Sequence, residues 1–92
     1  MYVIREEGSN YHKIGRSKDP VRRMGALQTG NPRRLELVEL WEVPDPPETE
    51  RLLHETYDHV RVRIPGQNPG EWFRLRNEDV EDLVQEMANL RT

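Results

Sequence analysis

Apolar and polar positions alternate in two short runs near the start of the chain, Tyr2–Arg5 and Tyr11–Ile14, on either side of Gly8-Ser9-Asn10. Period-two alternation around such a turn predicts a β-hairpin. It places Tyr2 and Ile4 on one face, and Tyr11 and Lys13 together on one face of the partner strand. The period then changes. Ser17 or Asp19 offers an N-cap, Pro20 suits the first helical position, and Pro20, Val21, Met24 and Leu27 form the apolar stripe of a helix. Arg23 falls at the edge of that stripe, where it can bury its stem and present its guanidinium to a pocket, while Arg22 points away. Gln28-Thr29-Gly30-Asn31-Pro32 ends the helix, with Gly30 expected in a left-handed cap and Pro32 barring continuation.

Leu35–Val43 is the longest strand candidate, and its apolar residues fall on both sides of the alternation. That pattern predicts a central strand covered on both faces. Pro44-Asp45-Pro46-Pro47 is a stiff connector, and Asp45 can cap a helix over Glu48–Tyr57. On that helix Glu50 shares a face with Leu53, His54 and Tyr57, whereas Glu48 and Glu55 lie opposite. A carboxylate centred on an inward face costs free energy unless a cation or donor meets it. Glu50 is therefore the outlier: either it pairs with Arg23 or Lys13, or contacts His54 one turn on, or it holds a metal ion. His59–Ile64 alternates as an edge strand with Arg61 and Arg63 outward. Residues 65–70 form a loop, Glu71–Leu75 a last short strand with Trp72 and Phe73 in the core, and Asn77 caps a final helix. Val80, Leu83, Val84, Met87 and Leu90 make its apolar stripe, for packing on the sheet or on a partner chain.

Composition narrows the class. Ninety-two residues make one domain with a modest core, 34 % hydrophobic and 34 % charged, too apolar to read as disordered. No run of eighteen apolar residues and no charged-then-apolar leader is present, which removes transmembrane and secretory readings, and the lack of cysteine fits a reducing cytoplasm. The net charge of −3 argues at first against nucleic acid. Its distribution argues otherwise: residues 1–36 carry eight Lys/Arg against four acids, and residues 37–92 six against thirteen. A basic half would face phosphates through Arg16, Lys18, Arg22, Arg33 and Arg34, with weak, salt-sensitive binding overall.

The hairpin and helix resemble the amino-terminal half of GIY-YIG nucleases. Y-V-I at Tyr2 stands where the first motif ends, K-I-G at Lys13-Ile14-Gly15 stands for Y-I-G, and Arg23 matches the helix arginine ten residues beyond Lys13. K-I-G followed by D-P, an arginine and L-Q-T-G-N-P, with E-x-x-L-H at Glu50–His54 and G-E-W-F at Gly70–Phe73, is similar to the phage-associated branch of that superfamily. The resemblance covers residues 2–75. It implies an α/β (α+β) fold: a central, mainly antiparallel three-stranded sheet flanked by helices, with an extra C-terminal strand and helix (78–91), all in one domain of residues 1–92. It also implies a divalent-metal-dependent DNA endonuclease, a phosphodiester hydrolase, with Glu50 as ligand of Mg2+ or Mn2+ and Arg23 on the phosphate. Tyr2 would orient or deprotonate the attacking water, with Lys13 nearby to lower its pKa. Tyr11, His54, Asn68 (nearest candidate for the family's late asparagine) and Glu71 are auxiliary candidates.

Lys13 departs from the family pattern, because a lysine replaces the motif tyrosine. The alternative reading is a catalytically weak or inactive module that binds nucleic acid or protein. DNA is the expected partner, with a homodimer or a separate protein supplying specificity.

Overall fold

The computed structural model describes residues 1–66 and 70–90. The hairpin forms as its pattern predicts: β1 (Tyr2–Glu6) pairs antiparallel with β2 (Tyr11–Gly15), with Tyr2 opposite Gly15 and Arg5 opposite His12. Its turn depends on Gly8, at φ +78, a left-handed conformation that a β-carbon disfavours. The Ser9 amide and hydroxyl both donate to the Glu6 carbonyl, at 3.1 and 3.0 Å.

Asp19 caps α1 (Pro20–Thr29), its carboxylate accepting from the Arg22 amide at 3.1 Å, and Asp45 caps α2 (Pro46–Thr56) in the same way through Glu48. Proline occupies the start of both helices, where its missing N–H is not needed. Gly30 closes α1 at φ −89, not in the left-handed region expected. The Gln28 side chain secures that end instead, donating to the Arg33 carbonyl and accepting from the Leu35 amide at 2.8 Å.

The sheet has four antiparallel strands in the order β3-β1-β2-β4, with β3 at Leu35–Leu40 and β4 at Trp72–Arg74. The additional C-terminal strand thus joins the main sheet beside β2. β3 is an edge, not the centre its two-sided apolar pattern suggested, and it ends before Trp41, whose ring turns into the core. The ten-residue α1 lies over the hairpin and leaves Leu37 and Leu40 on β3 exposed; Val21, expected in the helix's apolar stripe, is 81 % exposed.

Two apolar clusters sandwich the sheet. Tyr2, Ile4 and Leu35 pack with Met24 and Leu27 of α1 on one face. Val3, Ile14 and Phe73 pack on the other with Leu53 and Tyr57 around α2, and with Leu83 and Met87 of α3 (Asn77–Leu90). Val80, Leu83, Val84 and Met87 of the α3 stripe are thereby taken up by the chain's own core.

His59–Ile64 is not a strand. Asp58–Val60 is a 3-10 turn, and only Arg61 bridges to Phe73. The Asp58 carboxylate ties back both Arg61 (3.3 Å) and Arg63 (2.7 Å), which closes the turn. Arg61 points inward, donating to the His54 carbonyl at the end of α2 at 3.1 Å, with its guanidinium over the Phe73 ring. No helix among the described residues is long and apolar enough to cross a membrane.

Candidate active site

The end of the hairpin where β1 starts and β2 stops is where the two layers meet. Tyr2 is buried there, with its ring over Gly15: a β-carbon on Gly15 would stand 2.5 Å from the phenol oxygen and 2.7 Å from the carbon that bears it. Cross-strand partners have their β-carbons about 5 Å apart, so an aromatic ring opposite glycine can lie flat on the backbone. Gly15 was not singled out as a site residue from the sequence. The signal was available, since glycine inside a strand marks a bulge or a close approach.

α2 reaches the same end through His54. Its Nε2 lies 2.8 Å from the Ile14 carbonyl oxygen, which assigns Nε2–H as donor, and its ring packs on Phe73 at 5.2 Å. His54 therefore anchors α2 to the middle residue of K-I-G. One turn earlier on the helix, Glu50 projects toward the end of β2, its side chain 19 % exposed. The pairings expected for it with Arg23, Lys13 or His54 do not form. Its ion-pair partner is Arg16, at a loose 3.8 Å.

Arg23 comes from α1, on the other layer, and is exposed. Its positive charge favours the Tyr2 phenolate, and the carboxylates of Glu71 and Glu50 oppose it. Three separate elements thus deliver an arginine, a phenol and a carboxylate to one locality. The Tyr2 pKa is raised above its ordinary value of 10: burial contributes most, Glu71 and Glu50 add to it, and Arg23 offsets part. That corrects the expected lowering by Lys13. The Lys13 ammonium is directed elsewhere, to Glu71 at 3.0 Å and over the Trp72 ring at 5.6 Å, with its side chain only 9 % exposed against 37 % for Glu71.

The remaining candidates are dispersed. Tyr11 is at the far end of β2, paired with Arg74 and with the Arg74 guanidinium over its ring, so it does not join the Tyr2 group. Arg33 leans on Glu6 at 3.6 Å. Lys18, Arg22 and Arg34 are exposed and form no ion pair among the described residues. Asn68 lies outside the described residues. Trp72, assigned to the core from the sequence, is half-buried: it packs against the Tyr2, Ile4 and Leu35 cluster and carries the Lys13 ammonium. An apolar groove of about 290 Å3 lies between α1 and β3, lined by Val21, Met24, Leu37 and Leu40, and holds none of these polar groups.

Among the described residues no three His, Asp or Glu side chains converge as a metal cluster. Glu50 is nonetheless a suitable lone ligand: a half-buried carboxylate whose nearest cation is too distant to saturate it. Magnesium is commonly held by one or two carboxylates and keeps several waters.

The T5orf172 domain matches this sequence over residues 1–88. No curated protein and no solved structure matches it.

Proposed function

The chain belongs to the T5orf172 domain family, a phage-associated group of GIY-YIG-like, endonuclease-type domains, and from that premise we propose that it is a divalent-metal-dependent endonuclease hydrolysing DNA phosphodiester bonds. The observation that carries the reading is the convergence of Tyr2, Arg23 and Glu50 from β1, α1 and α2. K-I-G at Lys13–Gly15 supports reading it as a member of the branch in which lysine replaces the second motif tyrosine.

The chemistry follows from what each group can do. Arg23, exposed and unpaired by any carboxylate among the described residues, offers a planar fork that binds two non-bridging phosphate oxygens at once. Tyr2, kept protonated by burial, holds and orients a water through its neutral hydroxyl; it is a poor phenolate base. Glu50 would hold Mg2+ or Mn2+, which when bound supplies charge neutralisation at the phosphate and support for the leaving oxygen. Arg16 pairs with that carboxylate only loosely, at 3.8 Å, and can turn to a phosphate without breaking a tight pair. Lys18 and Arg22, exposed at the start of α1, would meet the DNA backbone, whereas Arg34 stands at the turn end of the hairpin, its carbonyl accepting from the Glu7 amide at 2.8 Å.

The test is nicking of supercoiled and single-stranded DNA with Mg2+ or Mn2+, comparing the native chain with Glu50→Ala and Arg23→Ala. Metal-dependent cleavage lost in both variants supports the reading. A folded protein that cuts no DNA form moves the assignment to a non-cutting, DNA-binding module. One observation favours that second reading: Lys13 is neutralised by Glu71 and does not activate Tyr2.

A further inference from the structure

On the α1 face of the sheet, beyond the Lys13–Glu71 pair, lies a second pocket of about 200 Å3 lined by Tyr11, Trp72, Val62, Asn31 and Glu6. We propose that it receives one unpaired nucleobase, about two nucleotides along the strand from the phosphate held at Arg23, so that the substrate is DNA with an unstacked base, not a regular duplex. This rests on the nuclease reading above and names its substrate class.

Four features carry it. The register sets Tyr11 and Lys13 on one face of β2 opposite Arg74 and Trp72 of β4, so two half-buried aromatic rings stand on the face that carries Lys13. Base–aromatic stacking is the sequence-tolerant device of single-strand binders. The dimensions suit a single ring: a cavity of about 150 Å3 accepts benzene, so this one admits a pyrimidine. Its spacing is right as well. Tyr11 is four residues from Gly15 along β2, roughly 13 Å, so a base seated there is about two nucleotides from the catalytic end of the hairpin.

The rim completes the case. Asn31 donates its Nδ2–H to the Arg33 carbonyl at 2.6 Å, which fixes the amide with its oxygen available as an acceptor. Glu6 contributes a second acceptor. Two exposed cations touch residues of the lining: Arg33 pairs with Glu6, and the Arg74 guanidinium lies over Tyr11. A structural role for Tyr11 accounts less well for its position. Tyr11 belongs to neither apolar cluster, and the Arg74 guanidinium lies over its ring. Extracting a base from a duplex costs a few kcal/mol, which a single strand does not incur.

The experiment is binding in EDTA, by fluorescence anisotropy, of three labelled eight-nucleotide probes: oligo-dC, the same strand with central abasic sites, and a blunt duplex. The expected result is tightest binding to oligo-dC. Tyr11→Leu should weaken it roughly 5- to 150-fold and bring it level with the abasic strand, while Tyr11→Phe retains it. Circular dichroism and thermal unfolding of Tyr11→Leu check that the fold persists, and Trp72→Phe, which keeps a stacking ring, gives an independent variant that should bind as the native chain does. Equal affinity for base-bearing and abasic strands, with DNA cleavage intact, overturns the pocket and leaves the nuclease standing. No binding to any probe and no cleavage overturns both.

Discussion

Tyr2 and Gly15 are opposite partners in the first hairpin, and the phenol of Tyr2 fills the space that a β-carbon on Gly15 would need, 2.5 Å from that position. Gly15→Ala must therefore displace the Tyr2 ring, which is buried between the sheet and α1. Overpacking of this kind costs about 1–3 kcal/mol. Urea unfolding should show that loss together with loss of DNA nicking. Gly25→Ala is the control: Gly25 lies in α1 with nothing within 4 Å of an added carbon, and it should gain roughly 0.5–1 kcal/mol.

Tyr2 and Tyr57 both have pKa values raised above 10, in each case chiefly by burial, with Glu86, Asp82 and Asp79 adding to the rise at Tyr57. The folded chain keeps these protons at a pH where the unfolded chain has released them. Stability is therefore fully present below pH 10 and falls as pH rises through the raised values. Ultraviolet phenolate titration paired with urea unfolding should show the decline, and Tyr2→Phe should reduce it. The same variant should lower DNA nicking roughly 100-fold or more, the scale of a lost proton-handling group.

His12 titrates in the opposite direction. It is buried on the α3 face, and its Nδ1 lies 2.8 Å from the Asn10 carbonyl, to which the neutral ring donates. Burial lowers its pKa below 6.5, Arg5 lowers it further, and the Asn10 carbonyl offsets part. As pH falls below 6.5 the unfolded chain takes up this proton first, so the stability present above 6.5 is lost toward the lowered folded value. The His12 imidazole resonances should titrate with a midpoint below 6.5, and His12→Gln should flatten the stability slope in that window.

Glu71→Gln leaves the Lys13 ammonium with only the Trp72 ring as counterpart. The pair is neither surface nor fully buried, so the cost falls between the two cases, at about 1–2 kcal/mol. Lys13→Met/Glu71→Gln, which removes both charges, should recover much of that loss in urea unfolding. A double variant no more stable than Glu71→Gln alone would show that Lys13 has a further partner.

His54→Ala removes the donor that meets the Ile14 carbonyl and should cost roughly 1–3 kcal/mol. Because His54 sets where α2 meets β2, nicking should fall beyond what the unfolded fraction explains. His54→Gln, whose amide can reach the same carbonyl, should restore part of both.

The hairpin, the caps of α1 and α2 and the stripe of α3 were legible because each is encoded locally, by a turn glycine, an Asp-Pro start or a 3.6-residue period. The place of β3 was not. Leu35–Leu40 has apolar residues on both sides, and nothing within the strand says whether its outer edge meets another strand or solvent. His59–Ile64 misled for a related reason: alternating arginines read as an outward face, whereas Asp58 gathers two of them into a turn. At the site, the convergence of Tyr2, Arg23 and Glu50 was expected from spacing and family resemblance. The direction of the Lys13 ammonium was not, since it depends on β4 bringing Glu71 alongside.

Because the two central strands are also the first two in the chain, Tyr2 and Arg23 are both encoded within the first 23 residues. The carboxylate is delivered from much later, by a helix that docks through one histidine onto an already paired strand. A chain interrupted before α2 holds Tyr2 and Arg23 but lacks Glu50. Under the nuclease reading proposed above, such a chain would carry the phosphate-facing side chains without the metal-holding carboxylate.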